Sequence, residues 1–261
     1  MNWYQISNIP DSTGHVVYKI WYANKYVIVA GKINEPKAIK MVTDAFKNIP
    51  SNKKEKKIKT IESQKTPQIK IHYKETDQAH IIIGFRSNPI GHKDNHKLGI
   101  LETLLGQGMS SRLFRKLRDE LGLCYYVRAG HDVALDRGYF AIATGVAKDR
   151  VQEAVKAIIT ECQKLSEELV LDEELQKAKE LRTSGLYLNL ESSDQYADFY
   201  AFQDIFDQKI KTPEEKSKKI QSVTAKDVMV MAKETFKSEK INLAIVGPYK
   251  DKKEFEAILK F

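Results

Sequence analysis

Between Ser51 and Lys65 more than half of the residues are charged, and only Ile58 and Ile61 are apolar. Such a stretch offers no face to bury, so it reads as a linker between structural units. It separates a leading part, residues 1–50, from a following part, residues 66–261. The 261-residue length suits one large domain plus a fragment of another, and the following part is the one long enough to be complete.

In the leading part, Val16, Val17, Ile20 and Trp21 fall at helical spacing within Thr13 to Tyr22, which predicts a helix. Tyr26 to Val29, ending at Gly31, predicts a strand, and Ile39, Val42, Ala45 and Phe46 mark one face of a helix that stops near Pro50. Beyond the linker, Ile69, Ile71 and Tyr73 alternate with polar neighbours, and Ala79 to Phe85 is a continuous apolar strand. A helix from Asp94 to Leu105 leads through Gly106, Gln107 and Gly108 into a second helix, Ser110 to Leu121. Strands at Tyr125 to Leu135 and Gly138 to Val146 are joined by Asp136 and Arg137. Four helical stretches follow, Asp149 to Leu165, Asp172 to Leu190, Ser193 to Phe206 and Pro213 to Gln221. The chain closes with a helix, a strand and a helix at Thr224 to Phe236, Ile241 to Gly247 and Asp251 to Leu259.

That closing unit resembles the opening one. Thr224 to Val228 leads through a helix to Leu243–Gly247 and another helix, as Thr13 leads to Ile28–Gly31 and the helix beyond. A helix-strand-Gly-helix unit used at both ends suggests the tail of one copy followed by a complete second copy.

An apolar fraction of 42% with 30% charge is that of a folded, soluble chain. The net charge of +8 is concentrated in Lys53 to Lys59, so a solvated linker accounts for much of it, and no nucleic-acid recognition motif is present. Cys124 and Cys162 make neither a disulfide framework nor paired metal-ligand spacing, which points to a reducing compartment, with the cytoplasm as the expectation. No basic segment followed by an apolar run opens the chain and no apolar run of about 18 residues occurs, so neither a signal peptide nor membrane contact is expected.

The stretch Leu104-Leu105-Gly106-Gln107-Gly108-Met109-Ser110-Ser111-Arg112-Leu113-Phe114, continued by Leu117-Arg118-Asp119-Glu120-Leu121-Gly122-Leu123-Cys124-Tyr125, resembles the second domain of the insulinase/pitrilysin-type zinc peptidases. Tyr22, Asn24 and Val27 to Gly31 resemble the end of that family's first domain, so nearly the whole chain is covered. The resemblance implies an α/β sandwich, with helices on one face of a mostly antiparallel sheet, and two domains closing over an extended peptide. Residues 1–50 would complete the first domain, 51–65 would be the linker, and 66–261 would be the whole second domain.

In that family the first domain binds zinc through a helical H-x-x-E-H motif and a distant glutamate. The second contributes an arginine and a tyrosine, which the resemblance places at Arg118 and Tyr125. Such a pair is chemically apt, because a peptide carbonyl under attack gathers negative charge that a guanidinium and a phenol hydroxyl can stabilise. Gly106 and Gly108, with Ser110 and Ser111, are expected to form a substrate-binding loop, a tight turn that lets a peptide backbone approach. Neither a Walker lysine nor a dinucleotide glycine pattern accompanies these glycines.

No complete metal site is legible. His92 and His96 are four apart, but Asn95 stands where a general base would be and Asp94 suits a helix cap, which leaves His92 outside the helix. If the second domain duplicates the first, the metal motif falls on Gly99, Ile100, Leu101, Glu102 and Thr103, keeping the glutamate and losing both imidazoles. His15, His72, His80 and His131 have no partner at ligand spacing, Cys124 reads as a small buried residue, and Tyr196, Phe199, Tyr200, Phe202 and Phe206 read as core.

These readings lead to the substrate-binding and catalysis-assisting half of a zinc-dependent peptidase. It would hold no cofactor itself and would act with a zinc-bearing half, in the same gene product or a separate subunit, on a peptide substrate. A homodimer stays open, as does the alternative of a non-catalytic scaffold or binding protein of the same fold.

Overall fold

The computed structural model describes residues 2–8, 16–22, 25–49, 58–206 and 209–259. Contacts divide the chain into two compact units: residues 1–59 with 184–216, and residues 60–183 with 217–261. Residues 184–216 thus group with the leading part of the chain rather than with its neighbours in sequence.

In the first unit, β1 (Asn2–Asn8), β2 (Val16–Tyr22) and β3 (Lys25–Gly31) form an antiparallel sheet in that order. The helix expected over Thr13 to Tyr22 is therefore a strand from Val16 onward, and residues 13–15 lie outside the described residues. Its sequence, VVYKIWY, is β-branched and aromatic, and as the central strand it has a pairing partner on each side. Those preferences outweigh an apolar spacing that also suits a helix. Gly31, at φ 131°, ends β3, and α1 (Glu35–Phe46) starts at Asn34, whose side chain accepts from the Lys37 amide at 3.1 Å. The helix α5 (Ser193–Ile205) packs on β3 and β2, with buried Tyr200 set against Ile28, Ala30, Tyr196 and Phe199. Phe202 departs from the expected core: it is 61% exposed and its ring stacks on Phe206.

The second unit is built on five strands in the order β4-β8-β5-β7-β6. These are β4 (Gln68–Tyr73), β5 (Gln78–Ser87), β6 (Cys124–Val133), β7 (Gly138–Ala147) and β8 (Ile241–Gly247). Every neighbouring pair is antiparallel except β4 with β8. Alternate residues explain the layering. Ala79, Ile81, Ile83 and Phe85 of β5, with Phe140, Ile142 and Val146 of β7, are buried, whereas His80, Ile82 and Tyr139 on the opposite face are exposed.

The buried face carries α2 (Asn95–Gly106), α3 (Val151–Glu167) and α7 (Ala225–Thr235), and in sequence α4 (Asp172–Leu188) and α6 (Pro213–Gln221) lie between α3 and α7 on either side of α5. Phe236, at the end of α7, sets its ring edge-on to Phe85 and Phe140, at 4.9 and 5.5 Å. Each fully buried Leu, Ile or Phe in this layer contributes roughly 1.5–3 kcal/mol. The fold is the expected α/β sandwich, a mostly antiparallel sheet with helices packed against it.

The second half of the charged stretch is tied down. The Thr60 amide donates to Asp136 at 2.8 Å, Glu62 accepts from Arg86 at 2.7 Å, and Gln64 donates to the Ile241 carbonyl at 2.9 Å. Residues 51–57 lie outside the described residues. At the other end, the repeat is shorter than expected. Strand, glycine and helix recur, but among the described residues the element before β3 is the strand β2 rather than a helix, and the closing helix α8 covers only Lys253–Glu256.

Candidate functional site

The motif-bearing segment joins α2 to β6. Buried Gly106 ends α2, and a Cβ there would sit 2.6 Å from the Ala129 Cβ, so the missing side chain makes room for strand β6. The expected approach of a substrate backbone does not account for this glycine. Gly108, at φ +82°, takes the left-handed conformation that turns the chain. Its carbonyl accepts from the Ser111 hydroxyl at 2.8 Å and the Ser111 amide at 3.3 Å. Ser111 is buried, while Gly108, Met109 and Ser110 are exposed.

The helix that follows is wound wide. Over Phe114–Glu120 it is a π-helix, continued by the bond from the Leu121 amide to the Lys116 carbonyl. Leu113 and Leu117 are buried, whereas Arg118 points outward, with its guanidinium 4.8 Å from the centre of the Phe114 ring. Gly122, at φ +59°, closes the helix, and β6 begins at Cys124.

Arg118 and Tyr125 come together. The Arg118 Nη1 donates to the Tyr125 backbone carbonyl at 3.2 Å, which fixes the wide helix to the start of β6. The Tyr125 ring is 82% exposed. Between Cys124 and Val127 the register of β6 on β7 shifts, so Tyr125 and Tyr126 together face the single residue Gly145. The bulge breaks the alternation that would put these two tyrosines on opposite faces. Tyr126 is 40% exposed, lies over Gly145 and meets His80 Nδ1 at 3.1 Å through its hydroxyl, while its backbone carbonyl accepts from Thr144.

Ser110 and Ser111 line a different place, a cleft of about 740 Å³ shared with Gln107, Arg112, Glu174 and Leu181. Arg112 grips Glu174 there through two bonds of 2.7 and 2.8 Å, and the pairing holds the guanidinium charge more firmly. Arg118 and Tyr125 are not among its lining residues. The structure therefore unites the Arg-Tyr pair but places the serines of the loop in a separate cleft.

The carboxylate of Glu102 organises a cluster that sequence spacing does not reveal. Glu102 is 8% exposed, and its Oε2 lies 2.5 Å from His131 Nδ1 and 3.4 Å from Arg182 Nη1. Gln107 Nε2 donates to the other oxygen. A Cβ on Gly99 would lie within 3.0 Å of the Arg182 guanidinium, so that glycine is what admits the arginine. His131, expected as a structural or surface residue, is thus one arm of a hydrogen-bonded cluster around a buried carboxylate.

This arrangement does not fit a zinc ion. Gly99 and Thr103 stand where imidazoles would be needed, and a guanidinium already faces the carboxylate. Among the described residues, no three His, Cys, Asp or Glu side chains are placed to share a metal. His92 lies outside α2, which begins beyond Asp94, and burial together with nearby Lys219 pushes the His96 imidazole down. Cys124 is only half-buried, with burial raising its thiol, and Cys162 is fully buried. His15 lies outside the described residues. Among the described residues, no helix is long and apolar enough to cross a membrane.

Comparison with known proteins agrees with the segment. The family model described as "Peptidase M16 inactive domain" matches residues 19–182. A Bacillus subtilis protein described as an uncharacterized zinc protease is 31% identical over 175 residues, which cover 67% of this chain and 42% of that protein. A Rickettsia felis protein of the same description is 30% identical over 230 residues, covering 86% of this chain and 54% of that one. The crystal structure of a peptidase M16 inactive domain from Pseudomonas fluorescens shares the fold, with a TM-score of 0.78 at 18% identity, over 87% of this chain and 55% of that one. The chain spans about half the length of these relatives. On the extent of the family match, this chain belongs to the insulinase-like M16 peptidases, as a bearer of their inactive domain.

Proposed function

We propose that this chain is the substrate-binding and catalysis-assisting half of a two-part zinc peptidase, acting on peptide bonds when joined to a zinc-bearing half. The observation that carries this reading is the adjacency of Arg118 and Tyr125, two exposed donors held at one edge of the sheet by the wide helix and the bulge of β6. The relatives described as zinc proteases support it. On this reading, residues 1–50 complete the zinc-bearing domain, 51–65 link the two, and 66–261 form the domain opposite, although residues 184–216 group with the leading part.

Arg118 commits one N–H to the Tyr125 carbonyl and keeps others for a ligand, since a guanidinium has five. That bond fixes the cation beside the base of the Tyr125 side chain. A peptide carbonyl oxygen placed between the guanidinium and the phenol would receive two donors, and both would bind more tightly as negative charge grows on it. The metal and the attacking water belong to the other half. The exposed stretch from Gly108 to Ser110 would offer the peptide backbone contacts, with buried Gly106 and Ser111 shaping the turn beneath it.

The test is to combine this chain with a zinc-bearing M16 half encoded beside or upstream of it, and to follow peptide cleavage with and without a chelator. Cleavage that needs both halves and is abolished by the chelator supports the reading. A zinc-bearing half equally active without this chain refutes it.

A further inference from the structure

A carboxylate as buried as Glu102 is stable only if its charge is compensated and its lone pairs are used. Three elements meet this need. His131 comes from β6, Arg182 from α4 (Asp172–Leu188), and Gln107 from the turn that leaves α2. His131 and Arg182 stand on rigid elements and converge on Oε2, while Gln107 takes Oε1.

Gln107 is the unusual member, because it lies between two glycines and its neighbours lend the loop no side-chain anchor. Its Nε2 donates to Glu102, and its Oε1 lies 3.2 Å from the Thr103 hydroxyl, whose single proton is shared with the nearer Gly99 carbonyl at 2.9 Å, so the bond to Glu102 is the main side-chain hold. The Gln107 backbone amide also donates to the Thr103 carbonyl, at 3.3 Å. Beyond Gln107, the loop is held by the contacts of Ser111 with the Gly108 carbonyl and, at its far end, by the Arg115 amide donating to the Ser111 carbonyl at 3.0 Å.

We propose that Glu102, held by His131 and Arg182, is a latch that orders the Gly106–Ser111 loop through Gln107, and so acts as a positioning residue for the peptide. The proposal rests on the reading of that loop as substrate-facing. The latch itself is a property of this chain alone and can be measured without a partner.

The informative variant is Gln107→Ala, which cuts the link while leaving Glu102 paired with His131 and Arg182. Glu102→Ala would leave the Arg182 guanidinium and the His131 ring without their shared acceptor and risks a failure to fold. In hydrogen exchange on the intact chain, Gln107→Ala should speed exchange of the Ser111 amide, the loop amide held by a backbone bond, about three- to tenfold, the worth of one hydrogen bond, with β5 and β7 amides unchanged. Gln107→Glu, which sets a second carboxylate against Glu102, should speed it further. His131→Asn, which keeps a donor, should exchange more slowly at the loop than His131→Ala. Unchanged loop exchange in Gln107→Ala overturns the latch. In the reconstituted peptidase, Gln107→Ala should raise KM with kcat largely kept. Faster loop exchange with an unmoved KM would leave the latch standing and overturn its role in positioning substrate.

Discussion

Arg118 reaches across seven residues of chain to donate to the backbone carbonyl of Tyr125 at 3.2 Å. An arginine held this way keeps its charge at the surface with little rotamer freedom left to lose on meeting a ligand. The wide turn of the helix and the bulge in β6 lie on either side of the bond, so both local irregularities serve one juxtaposition.

In the reconstituted peptidase, Arg118→Ala and Tyr125→Phe should each lower turnover by about 10²–10³, the usual effect of losing one preorganised donor. Folding should be unaffected, since both side chains are exposed. Tyr126→Phe removes only the contact with His80 and should be mild. Steady-state kinetics with circular dichroism checks this, and equal losses at Tyr125 and Tyr126 would show that the bulge presents both tyrosines to substrate.

Much of this arrangement was legible in the sequence, because its main elements follow from local preference. Ala79 to Phe85 is apolar enough to mark a strand of the sheet, of which alternate residues are buried, and Asp94 marks the start of α2. What was not legible depends on partners remote in sequence. Val16 to Tyr22 carries an apolar spacing that suits a helix, and it is a strand because β1 and β3 flank it. His131 and Arg182 lie 29 and 80 residues from Glu102, and no spacing rule joins them. The bulge at Tyr125 and Tyr126 arises from the register with β7, which sequence periodicity cannot anticipate.

Gly106→Ala should destabilise the second unit. The added methyl would press into Ala129 of β6, and overpacking of this kind costs about 1–3 kcal/mol. Gly130→Ala, one residue along the same strand, meets nothing within 4 Å and should be near neutral. Urea unfolding of the two variants gives the comparison, and equal midpoints would contradict the tight contact of α2 with β6.

Asp227 couples α7 to α2. Hydrogen bonds from Lys97, 2.8 Å away, and from Thr224 hold its carboxyl down to about 2. The unfolded carboxyl titrates near 3.8, so the unfolded chain binds the proton more readily and the contribution is fully present above that value. It should fade as pH falls from about 4 to about 2. Asp227→Asn should therefore cost roughly 0.5–1 kcal/mol at pH 7, given its partial exposure and its place in the α7 capping box. The gap from the unaltered protein should narrow steadily below pH 4. A gap that widens on acidification would mean that the pairing has the opposite sign.

The last prediction concerns zinc. Purified alone, the chain should hold no stoichiometric zinc, because the carboxylate at the expected motif already faces the Arg182 guanidinium, and Gly99 and Thr103 supply no imidazole. Arg182→Met tests whether that cation is all that keeps the metal out. Removing it leaves Glu102 and His131 as two ligands, where zinc in proteins is usually held by at least three, so no tight site should appear. The variant should also lose stability, by about 1–3 kcal/mol, since a buried carboxylate deprived of a partner keeps its desolvation cost, although the partly exposed Arg182 limits the loss. Elemental analysis after dialysis and urea unfolding read the two effects separately. One zinc per chain in the unaltered protein would overturn the assignment of the metal to the other half, and one zinc per chain in Arg182→Met alone would show that the guanidinium merely occupies a finished site.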